Sequence, residues 1–292
     1  MRHFVNGEIA AAEDIQVSPF DHGFLYGMGL FETFRTYGGH PFLLDDHFSR
    51  LHSSAEKMNI LLPPYNRGRA QEIIRRLLAE NGLEDAYFRW NISAGAHGVG
   101  LPVSPYRDPN EFVFVKELPE YMPEEKQAVT LALPRNRPET GVRLKSHHYF
   151  NNIAGKWELG SDQTKEGIFL TEDGSVSEGI VSNIFWLKGK TVYTPDLSCG
   201  CLPGTIRSFV IRAAEYNGLE VAAGRFPPEH AARAEEVWLT NAIQQIVPLT
   251  HWDGVPFPGR NGKVYQYLSR VYDHYRKVFY SVYDWQKSDF TS

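Results

Sequence analysis

Apolar and polar positions follow two rhythms along this chain. In "LDDHFSRLHSSAEKMNI" the apolar positions recur at three- and four-residue steps, with Phe48, Leu51, Ala55 and Met58 on one stripe. That spacing predicts an amphipathic helix with Asp45 or Asp46 near its cap. "NRGRAQEIIRRLLAENG" repeats the rhythm through Ile73, Ile74, Leu77 and Leu78 and stops at Gly82. Around these helices the pattern shortens. Asn6-Gly7 is a hairpin signal, "GLFETFRTYGGHPFLL" predicts two strands about Gly38-Gly39, and "AYFRWNISAG" and "EFVFVKEL" predict two more. "LPEYMPEEKQ" carries two prolines and acidic charge with little apolar pattern, so a domain boundary is expected near residue 120.

Past that connector come a strand, "AVTLAL", and a helix starting near Tyr149. "EGIFLTEDGSVSEGIVSNIFWLKGKTVYTP" predicts short strands turning at Asp173-Gly174 and Lys188-Gly189. "LPGTIRSFVIRAAEYNG" predicts a helix that opens at Gly204 and stops at Gly218, and "EEVWLTNAIQQIVPL" a strand running into a polar turn. In the tail, Tyr265, Leu268, Tyr272, Tyr275 and Phe279 predict a last amphipathic helix. Helices and strands do not alternate regularly, so the expected class is α+β. Two domains are expected, a smaller one over 1–120 and a larger one over 121–292, with the site between them.

Composition narrows the partners. The formal net charge is −5, so no basic field advertises nucleic acid or an anionic membrane, and an anionic ligand must be held by local groups. No apolar run reaches membrane-spanning length, and the first residues lack the apolar stretch of a signal peptide; a cytoplasmic protein is expected. Cys199 and Cys201 flank one glycine without a second Cys/His cluster, so no metal site is expected. There is no G-x-G-x-x-G and no phosphate-cradling G-x-x-x-x-G-K-[ST] loop, which argues against dinucleotides and nucleoside triphosphates.

The chemistry gathers around "RLKSHHYFNNIAGK". Lys145 lies between a strand end and a helix start. A partly desolvated amine there, close in sequence to Arg143, is suited to attack a carbonyl and form a Schiff base. Periodicity does not choose between Lys145 and Lys156, although a helical Lys156 reads more simply as a solvated side chain. Glu178 reads locally as a turn carboxylate, or as one that keeps a cofactor's ring nitrogen protonated. Gly204-Thr205-Ile206 offers amides and a hydroxyl to an anion at a helix start. Arg50 reads locally as a solvated helix face.

Order and spacing add to this. "SPFDHGFLYGMGLFETFR", "LLDDHFSRL", "RLKSHHY", "EGIFLTEDGSVSEGIVSNIFW", "LPGTIRS" and "EVWLTNAIQQIVP", in that order, resemble the fold-type IV family of pyridoxal-phosphate enzymes. That family holds branched-chain and D-amino-acid aminotransferases and 4-amino-4-deoxychorismate lyases. "SPFDHGFLYG", "FETFR", "WNISAG" and "RLKSHHY" place the chain nearest the lyases. The resemblance implies pyridoxal 5'-phosphate as cofactor, Lys145 as the lysine bonded to its aldehyde carbon, and Glu178 on its pyridine nitrogen. It implies Arg50, Gly204, Thr205 and Ile206 on the phosphate, and Asn241-Ala242 at a second phosphate-side turn. There Ala242 lacks the hydroxyl that many aminotransferases carry. Thr33 matches a threonine that the lyases place near the reacting carbon, and Arg35, Arg89 and Arg143 are candidates for the substrate's carboxylates. The implied reaction converts 4-amino-4-deoxychorismate to 4-aminobenzoate and pyruvate, for folate biosynthesis. The rival is an aminotransferase, against which Ser93-Ala94-Gly95 stands where the D-amino-acid enzymes have Thr-Arg-Gly. A homodimer and functional coupling to aminodeoxychorismate synthase are further expectations.

Overall fold

The computed structural model of the chain describes residues 1–120, 122 and 124–285, so the expected connector falls partly outside the described residues. The described chain separates into two compact units. The first gathers Met1–Glu120, Leu144–His148 and Arg276–Asp284; the second takes 122–143, Tyr149–Tyr275 and residue 285. Lys145, expected in the larger C-terminal domain, therefore belongs to the first unit.

In the first unit β1 (Arg2–Val5), β2 (Glu8–Ala11), β3 (Gly29–Tyr37), β4 (His40–Pro41), β5 (Tyr87–Ser93) and β6 (Asn110–Lys116) form an antiparallel sheet in the order β2-β1-β6-β5-β3-β4. Asn6 and Gly7, both at positive φ, make the expected hairpin turn between β1 and β2. Three helices accompany the sheet: α1 (His22–Tyr26), α2 (Leu44–Lys57) and α3 (Arg67–Asn81). Alternation divides the sheet into two faces. Leu30 and Phe34 of β3 and Phe88, Trp90 and Ile92 of β5 pack with Phe48, Leu51, Ile74 and Leu77 of α2 and α3 in one core. The opposite face carries Phe31, Thr33 and Arg35 of β3, directly opposed by Asn91, Arg89 and Tyr87 of β5.

Both expected helices form. At α3 the Asn66 side chain accepts from Arg69 N at 3.0 Å, and Gly82 ends the helix in a left-handed conformation. At α2 Asp45 and Asp46 both lie in the first turn, near the cap as expected; the cap residue itself is Leu43, at φ 57° and with no side-chain hydrogen bond. The two aspartates are spent elsewhere: Asp45 accepts from Tyr65 Oη and Arg67, and Asp46 from Ser281 Oγ and Val282 N.

The second unit contains β7 (Lys126–Thr130), β8 (Lys165–Leu170), β9 (Val176–Gly179), β10 (Asn183–Lys188), β11 (Thr191–Pro195), β12 (Glu220–Gly224), β13 (Glu236–Asn241), β14 (Gln245–Trp252) and β15 (Val255–Pro256). They form a mixed sheet in the order β12-β11-β10-β13-β14-β7-β8-β9, with β15 paired to β14. Its helices are α4 (Phe150–Leu159), α5 (Thr205–Tyr216), α6 (Pro228–Ala231) and α7 (Lys263–Tyr275). The tail helix ends sooner than its periodicity suggests. Leu268, Tyr272 and Tyr275 are buried on α7, whereas Phe279 lies beyond the helix and its carbonyl accepts from Leu43 N in the first unit. Class and architecture are those of a two-unit α+β protein.

Candidate active site

Lys145 is placed by main-chain pairing. Its carbonyl accepts from Phe31 N at 2.8 Å, Ser146 bridges Leu30, and His147 N donates to Gly29 O at 2.9 Å. The segment thus runs along the edge of β3 at the end that β4 leaves uncovered. The half-buried Lys145 ammonium lies 4.6 Å from the centre of the Phe31 ring, on the sheet face opposite the core. The Arg89 guanidinium lies 3.6 Å from the same ring, so two cations share one aromatic side chain. Lys156, by contrast, is exposed on α4.

Around Lys145 the same face is polar and cationic. Thr33 opposes Arg89 in the ladder, and Arg35 stacks on Tyr37 at 4.7 Å with its buried Nε lacking a hydrogen-bond partner among the described residues. Asn91 Oδ1 accepts from Arg89 Nε at 3.3 Å and lies 3.1 Å from His147 Nε2. Arginine only donates, which fixes the orientation of the Asn91 amide and puts the His147 proton on Nε2. Burial, reinforced by the positive charge of Arg89, pushes His147 down to about 4. At neutral pH it is an uncharged neighbour of Lys145. Sequence reading missed Asn91 and His147, whose pairing is nonlocal.

On the other face of β3, Arg50 departs from its local reading as a solvated charge. His47 and Arg50, one turn apart on α2, both reach Glu32. Arg50 donates through Nε to Glu32 Oε1 at 2.8 Å and through Nη2 to Oε2 at 2.5 Å, and His47 Nδ1 donates to Oε2 at 2.7 Å. Glu32 is 1% exposed. Burial by itself would raise its carboxyl, but the charge and hydrogen bonds of Arg50, helped by His47, outweigh burial and hold it at about 2. Neither Glu32 nor His47 stood out in the sequence.

The second unit holds the remaining candidates. Glu178, on β9, is buried; Arg135 donates to its Oε1 through Nε at 2.9 Å, and Leu202 N donates to its Oε2 at 2.8 Å. Arg143 Nε lies 3.6 Å from the same carboxylate, yet its hydrogen bonds go to the carbonyls of Gly200 and Asn136. Burial and the neighbouring Arg135 charge lower Arg143 to about 10. It ties down the loop at residue 200, a use that its expected place among the substrate cations did not anticipate.

Gly204 caps α5 with no side-chain hydrogen bond, and Thr205 and Ile206 follow, both buried. A Cβ at 204 would stand 2.1 Å from Asn183 Oδ1, so only glycine fits this approach. Asn241 ends β13 with its amide turned onto its own loop. Oδ1 accepts from Ile243 N and Gln244 N, at 2.9 and 2.6 Å. It builds the turn that the half-buried Ala242 occupies. The turn is further held by Lys126, which donates to Gln244 Oε1 and to Glu166 Oε2 at 3.0 and 3.1 Å. No group of His, Cys, Asp and Glu able to hold a metal occurs among the described residues.

Pyridoxal phosphate presents an aldehyde, a protonatable ring nitrogen and a phosphate. The residue types answer those demands within each unit: the first holds a half-buried amine at 145, and the second a buried carboxylate at 178 and a helix start at 204–206 whose cap residue is glycine.

The comparisons with known proteins agree. An aminodeoxychorismate lyase of Bacillus subtilis is 44% identical over 272 residues, 92% of each chain. A putative branched-chain-amino-acid aminotransferase of Methanocaldococcus jannaschii is 31% identical over 87% of this chain and 88% of its own. Among solved structures, 4-amino-4-deoxychorismate lyase from Pseudomonas aeruginosa superposes with a TM-score of 0.81 at 25% identity, covering 95% of this chain and 99% of that one. The profile of amino-transferase class IV matches residues 29–252, and the chain belongs to that family.

Proposed function

We propose that this chain is a pyridoxal-phosphate-dependent lyase that converts 4-amino-4-deoxychorismate to 4-aminobenzoate and pyruvate. The observation that carries the reading is the 44% identity, over nine-tenths of both chains, to the Bacillus subtilis lyase. The aminotransferase relative stands further off, at 31%. Ala94 supports the same side: it is buried, with its amide donating to Met28 O at 2.9 Å, and it offers no guanidinium to a substrate carboxylate.

The cofactor, when bound, supplies an electron sink conjugated to the substrate's amine. The rest falls to the protein. Lys145 Nζ would hold the cofactor through its aldehyde carbon, and its free amine would be the base for the proton on the ring carbon bearing the substrate's amine. Glu178, paired with Arg135, would accept a hydrogen bond from the cofactor's ring nitrogen and keep it protonated. As the ring C–O bond breaks, the ether oxygen leaves with its electron pair and takes a proton, and the enol so released tautomerises to pyruvate. Loss of both groups makes the ring aromatic, which supplies much of the driving force. Thr33 and Lys145 share one face of β3, and the Thr33 hydroxyl serves the proton that reaches the departing oxygen. Arg89 and Arg35 hold the substrate's carboxylates, while Arg50, Thr205 and the Ile206 amide serve the phosphate. The working form is a cytoplasmic homodimer, and its unstable substrate reaches it from the synthase that makes it.

The test is direct. Holoenzyme mixed with enzymatically generated 4-amino-4-deoxychorismate should release 4-aminobenzoate and pyruvate in equal amounts. Keto-acid-dependent transamination of D-alanine without that release overturns the lyase reading.

A further inference from the structure

We propose that the Thr240 hydroxyl is a ligand of the cofactor's phosphate, supplying from β13 the side-chain contact that Ala242 lacks. The inference rests on the pyridoxal-phosphate reading and adds a residue that neither the sequence motifs nor that reading single out.

Thr240 is 2% exposed, and its Oγ1 is buried without a hydrogen-bond partner among the described residues. Buried hydroxyls are nearly always satisfied, so an orphan points to a group not supplied by the chain. Ladder register says where this one faces. Thr240 is directly opposite Asn183 across the antiparallel β10–β13 pair, and opposed residues put their side chains on the same face. Where the Asn183 side chain goes is fixed at both ends: Nδ2 donates to Leu202 O at 2.8 Å, and Oδ1 occupies the space where Gly204 would place a Cβ. The face of Thr240 is therefore the one that meets the start of α5.

That helix start has glycine as its cap residue, so the cap position itself brings no side chain to the leading amides. Its positive end and leading amides favour an anion. On the β13 side the neighbouring side chains offer less. Ala242 has no hydroxyl, and the Asn241 side chain turns onto its own loop, its Oδ1 accepting from Ile243 N and Gln244 N and its Nδ2 donating to Gln244 Oε1 at 3.3 Å. A hydroxyl two residues before Ala242, on the face that meets the helix start, completes the phosphate's donor set.

Thr240→Val tests this, since valine keeps the shape and deletes the hydroxyl. Pyridoxal 5'-phosphate and unphosphorylated pyridoxal are titrated separately by absorbance into the full-length apo chain, and the apo chain is melted alongside. The expected result is a loss of about tenfold in affinity for pyridoxal phosphate, unchanged affinity for pyridoxal, and an apo form at least as stable as the parent. Thr240→Ser, retaining the hydroxyl, should restore most of the affinity. Equal affinity of Thr240→Val and parent for pyridoxal phosphate overturns the proposal, and so does an equal loss toward both ligands. Should the parent itself show no phosphate-dependent binding, the cofactor reading fails with it, and that failure appears in the parent rather than in the variant.

Discussion

Glu32→Gln probes the buried ion pair beneath β3. Glutamine keeps the shape of the side chain and one acceptor but deletes the charge that faces Arg50 and His47. The magnitude follows from the carboxyl's displacement. Held at about 2 in the fold against an ordinary 4.5, Glu32 gains about 3 kcal/mol of stability at neutral pH, at roughly 1.4 kcal/mol per pH unit of difference. Breaking a buried pair by removing one partner costs about 3–5 kcal/mol, which agrees. The sign is that of a depressed acid. The stabilisation is complete above 4.5 and drains away as pH falls toward 2, because the unfolded chain takes up a proton that the folded one still refuses. Urea unfolding of apo parent and variant, followed by far-UV circular dichroism, should show a gap of about 3 kcal/mol at pH 7 that narrows by about 1.4 kcal/mol per unit below 4.5. A gap under 1 kcal/mol at pH 7, or one as wide at pH 3 as at pH 7, refutes the reasoning.

Other expectations are as specific. Lys145→Ala should lower 4-aminobenzoate release by at least about a thousandfold and abolish the visible band of the bound cofactor, whereas Lys156→Ala should change neither. Gly204→Ala forces a methyl against Asn183 Oδ1 and should cost about 1–3 kcal/mol of stability in a urea titration, together with weaker cofactor retention on dialysis. Arg135→Ala strands the Glu178 carboxylate in a buried site and should destabilise the chain by about 3–5 kcal/mol, measured the same way. His147, held at about 4, should contribute a loss of stability of about 3 kcal/mol as pH falls from 6.5 through 4; His147→Asn should flatten that stretch of the stability curve.

How much of this was legible in the sequence depended on whether the cause was local. α3 was, because Asn66, the apolar stripe and Gly82 all lie within its own residues. The start of α2 was legible in place but not in partners: Asp45 and Asp46 stand in its first turn, yet they answer to Tyr65, Arg67, Ser281 and Val282, which no window of sequence contains. The tail's apolar spacing continued past Tyr275, but the chain leaves the helix there and Phe279 serves the first unit. In the site, resemblance selected Lys145 and Glu178. The groups that support them, Arg135 for Glu178 and Asn91 with His147 beside Arg89, needed strand register to be seen. Arg50 had the look of a surface charge because its partner, Glu32, sits on a strand whose alternation says only which side it faces.

The first unit is sewn from three separated stretches, and synthesis meets them in order. When residue 120 has been made, the edge of β3 that Lys145 will cover is bare, and Leu43 N still awaits the carbonyl of Phe279. At ordinary elongation rates the wait for residues 276–284 lasts on the order of ten seconds, during which an open strand edge invites sticking to neighbours. A fragment ending near residue 120 should consequently aggregate when expressed alone, and a nascent chain of this protein is a natural client for chaperones.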